Sequence, residues 1–162
     1  MTPATDSLID AYLDVVRALR AAVAGLDAGQ LRARPVEGRW SILEVLAHLA
    51  DSEQAWCHRI KRVIAEDRPL LIGYDETRFT ATLRYHDRDP GAELGLIESQ
   101  RDQLAATLRA LPDDAFLRTG VHNERGLVTL REMVEIEVEH VRHHLRFIGE
   151  KRAALGLAPS AP

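Results

Sequence analysis

The chain has 162 residues, of which 46% are hydrophobic and 28% charged, with one cysteine and a formal net charge of -4. That length suits a single domain, the apolar share excludes disorder, and the lone Cys57 excludes a disulfide scaffold. The acidic balance argues against a nucleic-acid partner, and no stretch approaches the roughly 18 apolar residues that a membrane span requires.

The opening MTPATDSLIDAYLD has Asp6, Asp10 and Asp14 and no basic region before an apolar run, so it does not read as a secretory signal. A cytoplasmic protein is expected. Leu8, Tyr12, Val15, Leu19, Val23 and Leu26 recur at three- and four-residue steps and predict a first amphipathic helix. Gly25, Gly29, Pro35 and Gly38 then mark a loop. A second helix should open near Trp40, where Ser41 and Glu44 have capping-box spacing, and should stop before Pro69. The following connection has room for one short helix around Glu76 to Leu83. Asp89 and Pro90 start a third long helix with the stripe Leu94, Ile97, Leu104, Leu108 and Leu111. Pro112 to Gly126 reads as a polar loop, and a fourth helix runs from near Thr129 to about Arg152. Alternating strand patterns are almost absent. The expectation is an all-α four-helix bundle with one longer crossover connection, in a single domain over 1–152, followed by a flexible tail over 153–162. A three-helix core with an added arm is the alternative.

Seven histidines stand against the one cysteine. Successive residues of the fourth helix lie about 100° apart, which sets Glu137, His140 and His144 inside the apolar stripe and His143 on its flank. Such groups are costly in a core unless paired, hydrogen-bonded or bound to metal. His140 and His144 stand one turn apart on one face, the spacing with which a helix offers two nitrogens to one ion. An isolated pair is also compatible with core or surface histidines, so a third donor is needed. His48 on the second helix supplies it, with Ser52 and Ala55 small enough to leave a cavity on the same side. His58, His86 and His122 read as solvated. Three neutral imidazoles suit zinc or nickel and leave a position open to water or substrate. Glu137 is a candidate base, outer support or fourth ligand; it equally fits a core carboxylate paired with an arginine. Glu53 and Arg101 also fall in apolar stripes, which predicts a buried ion pair between the second and third helices. Cys57 lies inside a helix with nothing to lower its pKa and reads as a core residue. Trp40 and Trp56 read as core anchors.

GRWSILEVLAHLADSE resembles the second-helix signature of the DinB/YfiT-like family, and EHVRHHLRFIG resembles its closing H-x-x-H-H motif. GYDETRF, LPDDAF and GLVTLREM resemble the segments between, so the likeness runs from about Ser7 to Arg152. One departure is that many relatives carry glutamine where this chain has Arg146 or Phe147. The resemblance implies a four-helix bundle, often a homodimer, holding a divalent metal on three histidines, here His48, His140 and His144. It further implies either a metal-dependent hydrolase or a thiol S-transferase or isomerase using a low-molecular-weight thiol such as bacillithiol or mycothiol. Both take a small electrophilic substrate, attacked by an activated water or thiol. A non-catalytic bundle that binds metal or a small ligand, as sensor or store, is the competing class. A di-iron site would need two E-x-x-H motifs, and only Glu137 with His140 fits; the H-E-x-x-H protease signature is absent.

Overall fold

The computed structural model describes residues 2–158. Four long helices build the bundle: α1 (Pro3–Val23), α3 (Ile42–Ala65), α5 (Pro90–Arg109) and α6 (Leu130–Ala154), with short α2 (Ala28–Arg32) and α4 (Glu76–Thr82) in the connections. Helices α3, α5 and α6 begin where a side chain satisfies an orphan amide. Ser41 Oγ accepts from the Glu44 amide at 3.1 Å while Glu44 accepts from the Ser41 amide at 2.7 Å, and Thr129 with Glu132 repeats the arrangement at α6. At α5 the Asp89 carboxylate takes the Ala92 amide, with Pro90 in the first turn. α1 opens on Pro3.

Helices α5 and α6 each pack against both α1 and α3. Helix α1 therefore faces α3 across one diagonal, and the steps from α1 to α3 and from α5 to α6 both cross the bundle. The core follows the expected stripes, with Tyr12, Leu19, Leu46, Ile60, Ile97, Leu104, Leu108, Met133 and Ile148 inside. One shift occurs in α1, where Ile9 is buried and Leu8 only flanks the cluster.

The stretch expected to be a polar loop is more ordered than its composition suggests. A 3-10 turn (Asp113–Leu117) leads into β2 (Thr119–His122) and β3 (Gly126–Thr129), an antiparallel hairpin whose Gly126 takes a φ of 76°. Strand β1 (Leu70–Leu71) adds in parallel, pairing Leu70 with Val121 and Leu71 with His122. Gly120 makes the docking possible: a Cβ there would meet Leu71 Cδ1 at 2.8 Å and Val63 Cγ2 at 2.9 Å. Helix α6 continues past the expected end at Arg152 to Ala154, and the amides of Leu155, Gly156 and Leu157 bond back to its last turn. Residues 159–162 of the expected tail lie outside the described residues. No helix among the described residues is long and apolar enough to cross a membrane.

Candidate metal centre

Helix α3 carries His48 and α6 carries His140 and His144, and these two helices pack side by side. The Nε2 atom of His140 lies 3.1 Å from Nε2 of His48 and 3.1 Å from Nε2 of His144. Ligand atoms of all three lie within 4.8 Å of one another, and no other group of three or more His, Cys, Asp or Glu side chains among the described residues gathers in this way. Helical phase does the sorting on α6. His144 turns inward, whereas His143 is exposed, meets the His144 ring edge-on and approaches Arg146. Trp40 packs on His48 at 5.1 Å between ring centres, and Phe147 meets His144 edge-on at 5.8 Å.

Burial pushes the three imidazoles down, His48 to about 4, His140 to about 3 and His144 to about 2, with the neighbouring histidines adding to the effect on the last two. All three are thus neutral near pH 7, the state in which imidazole offers a lone pair to a cation. Two close nitrogen pairs at 3.1 Å are near the ~3.3 Å edge of a tetrahedron with metal–nitrogen bonds of about 2.0–2.1 Å. Nδ1 of both His48 and His144 is buried without a hydrogen-bond partner. Three lone-pair-bearing rings aimed at one point, with no carboxylate among them, fit a borderline divalent cation such as zinc or nickel.

Glu137 points elsewhere. It is 1% exposed and lies 3.6 Å from Arg101, which also binds Glu53 at 2.7 Å. Arg101 donates from Nη1 to the Tyr12 carbonyl at 2.7 Å and sits over the Tyr12 ring, and the Tyr12 hydroxyl donates to Glu53. The predicted pair between α3 and α5 is therefore present, and it extends to α1 and α6. Burial and the Glu53 charge hold the Glu137 carboxyl well above the usual carboxylate range. Of the roles open to Glu137, the geometry supports the core carboxylate on an arginine. Cys57 lies against this network, 3.3 Å from Glu53, and burial pushes its thiol up to about 12.

A cavity of about 350 Å³ opens beside the histidines, walled by Ser52, Trp56, Arg59, Tyr74, His122 and His140 among others. Ser52 lines it as expected. His58 and His86 are exposed as expected, whereas His122 is not solvated: it is 4% exposed and stacked on Trp56 at 5.9 Å and 11°. The correction follows from the hairpin, since pairing with Leu71 turns His122 towards α3. Trp56 is a core residue that also walls the cavity, and Trp40, half-buried, walls a second one of about 210 Å³ that meets His144. Arg59 and Tyr74 are cavity residues that sequence reasoning missed; the only available signal was the position of Arg59 about two turns beyond Ser52 on the face of His48.

Residues 11–148 match the sequence profile of the DinB superfamily. The chain is 29% identical over 152 residues to "Putative metal-dependent hydrolase YfiT" of Bacillus subtilis, covering 93% of this chain and 85% of that one. It is 32% identical over 135 residues to a protein of the same description from Oceanobacillus iheyensis, OB0782, covering 83% and 78%. The solved structure of Bacillus subtilis YfiT superposes with a TM-score of 0.90 at 28% identity, over 98% of this chain and 91% of that one. The mycothiol-dependent maleylpyruvate isomerase shares the fold with a TM-score of 0.71 at 18% identity, over 90% of this chain and 60% of that one. The chain belongs to the DinB superfamily.

Proposed function

We propose that this protein is a divalent-metal-dependent enzyme in which His48, His140 and His144 hold the ion and the adjoining cavity receives a small electrophilic substrate. The observation that carries this reading is the convergence of three Nε2 atoms, from two helices, with His140 at the wall of a cavity. A closed structural site would need no such opening. A divalent ion bound there supplies Lewis acidity and lowers the pKa of a ligated water or thiol. The chain's own residues hold the rings neutral through burial, orient His48 against Trp40 and His144 against Phe147, and shield one side of the site with the apolar bundle. Glu137 positions rather than reacts, fixing α6 to Arg101 one turn before His140. The relatives described as metal-dependent hydrolases support water as the nucleophile.

Thiol transfer is the second reading, favoured by a specific feature: His140 borders one cavity and His144 borders the other, giving two reactants separate access. Cys57, buried with a raised pKa, is not the nucleophile, so a thiol would have to arrive from solution. Metal content measured in the wild type and in His48→Ala, His140→Ala, His144→Ala and His143→Ala tests the centre. Loss in the first three and retention in the last is expected; retained metal in His140→Ala or His144→Ala refutes the assignment. Ester and amide substrates without thiol, beside monochlorobimane with a panel of thiols, then separate hydrolysis from transfer. Metal binding without either activity would leave the sensor or store.

A further inference from the structure

The cavity beside the histidines has a floor that the proposed reaction does not yet use. Arg59 is 7% exposed, and among the described residues it has no carboxylate partner. Its one hydrogen bond runs from Nη2 to the Ile72 carbonyl at 2.6 Å, and its guanidinium lies 5.1 Å from the centre of the Trp56 ring. A desolvated cation without a counter-charge is expensive in a folded protein, and such groups are normally paired. The other buried arginine, Arg101, shows the usual solution, with Glu53 at 2.7 Å. For Arg59 burial is the largest influence and pulls its pKa down, while Tyr74, then Glu137 and Glu124, act on it only through space.

Two neighbours on the same wall are also donors. The Tyr74 hydroxyl is buried near Ser52 without a hydrogen-bond partner of ordinary geometry. His122 accepts the Glu124 amide at Nδ1, 3.2 Å away, which leaves the proton of its neutral ring on Nε2. Burial, then the charge of Arg59, keeps that ring neutral. The carboxylates of the cavity, Glu76, Glu124 and Glu139, sit at its rim with exposed Arg125; burial and the Glu124 charge push the Glu76 carboxyl up, and Glu139 pairs with Arg142 at 2.7 Å. The floor therefore presents a guanidinium, a phenol and an imidazole N–H, with the buried Trp56 ring backing the guanidinium and the imidazole.

We propose that Arg59, Tyr74 and His122 form a subsite for a carboxylate or an equivalent planar oxyanion, so that the substrate brought to His140 carries an anionic head group. This deepens the proposed function and rests on it for the identity of the reacting centre. Guanidinium–carboxylate pairing in a dry pocket supplies both affinity and orientation, and the tyrosine adds a charge-assisted hydrogen bond.

The test titrates benzoate and its neutral counterpart benzamide into the metal-loaded protein by calorimetry, with Tyr74→Phe and Arg59→Gln as variants. Benzoate should bind at least tenfold more tightly than benzamide. Tyr74→Phe, which keeps the ring and its packing, should weaken benzoate roughly tenfold or more, and Arg59→Gln roughly thirtyfold or more, each with a smaller effect on benzamide. No benzoate binding at millimolar concentration, equal binding of the two probes, or benzoate binding indifferent to both substitutions overturns the subsite. So does binding that survives both substitutions and disappears on chelation, because the carboxylate would then sit on the ion. Metal content of the same samples keeps the two readings apart. Charge-selective benzoate binding in a wild type that takes up no metal removes the proposed reaction and leaves the subsite; metal uptake without charge selectivity does the reverse.

Discussion

Replacing Arg101 with methionine removes the cation that holds four helices to one point. The side chain is fully buried, binds Glu53 at 2.7 Å and the Tyr12 carbonyl at 2.7 Å, and lies 3.6 Å from Glu137. Methionine approximates the volume, so little of the loss comes from a cavity. The cost comes from leaving Glu53 facing Glu137 with no counter-charge, which for a broken buried pair is about 3–5 kcal/mol. Against a total stability of roughly 5–15 kcal/mol that is a large share. At roughly 2–4 °C per kcal/mol for a chain of this size, the melting temperature should fall by about 6–20 °C. Urea unfolding followed by circular dichroism at pH 7 gives the free energy directly. Adding Glu53→Gln to Arg101→Met removes the second charge and should recover at least about 1 kcal/mol, a coupling that independent sites would not show. A loss below about 1 kcal/mol, or no recovery in the double variant, refutes the view that electrostatic pairing holds this part of the core together.

Glu137→Gln carries a signed pH dependence. Burial and Glu53 raise the Glu137 pKa in the folded chain, so the folded state keeps a proton that the unfolded chain releases above about pH 4.3. Wild-type stability then falls as pH rises from that point towards the raised value, while the glutamine variant escapes the loss. Its stability relative to wild type should climb by up to about 1.4 kcal/mol per pH unit above pH 5; a gap independent of pH in urea titrations would count against the protonated carboxyl. Stripping the metal with EDTA should lower the melting temperature of wild type and His143→Ala by roughly 6–16 °C, the equivalent of about 3–4 kcal/mol at metal 100–1,000 times its Kd. The same treatment should leave His140→Ala unmoved in differential scanning calorimetry. Cys57, with its thiol pushed up to about 12, should not react with Ellman's reagent at pH 8 in the native protein and should give one equivalent in guanidinium.

What could be read from the sequence was what is local. Ser41 with Glu44 and Asp89 before Pro90 place helix starts through contacts within one turn, and both recur in the fold. His144 separates from His143 by helical phase alone, and Glu53 and Arg101 betray each other because each interrupts an apolar stripe on its own helix. The strands were hidden for the opposite reason. Thr119–His122 and Gly126–Thr129 are too short for a period of two to emerge, and Leu70–Leu71 becomes a strand only by pairing with Val121 and His122. Helix α2 was hidden by Gly29, whose loop signal is outweighed by the Asp27–Gln30 capping box. His122 inherits the same blindness, since its burial is decided by a partner strand far away in sequence.

The division has a functional consequence. Helix α3 lines up His48, Ser52, Trp56 and Arg59 at three- and four-residue steps, so one continuous face leads from the centre to the cavity floor. The three histidines proposed as ligands are thus carried entirely by the bundle helices, where His48 and His144 are buried and any shift of α3 against α6 would separate them. Tyr74 and His122, by contrast, come from the connections between α3 and α5 and between α5 and α6. Connections tolerate substitution and insertion better than packed helices do. Changes at 66–89 and 110–129 can therefore alter which head group the cavity accepts while the three Nε2 atoms stay in place. Under the proposed function, selectivity should track the residues opposite Arg59 rather than the histidines, which substitutions at Tyr74 and His122 with metal content held constant would test.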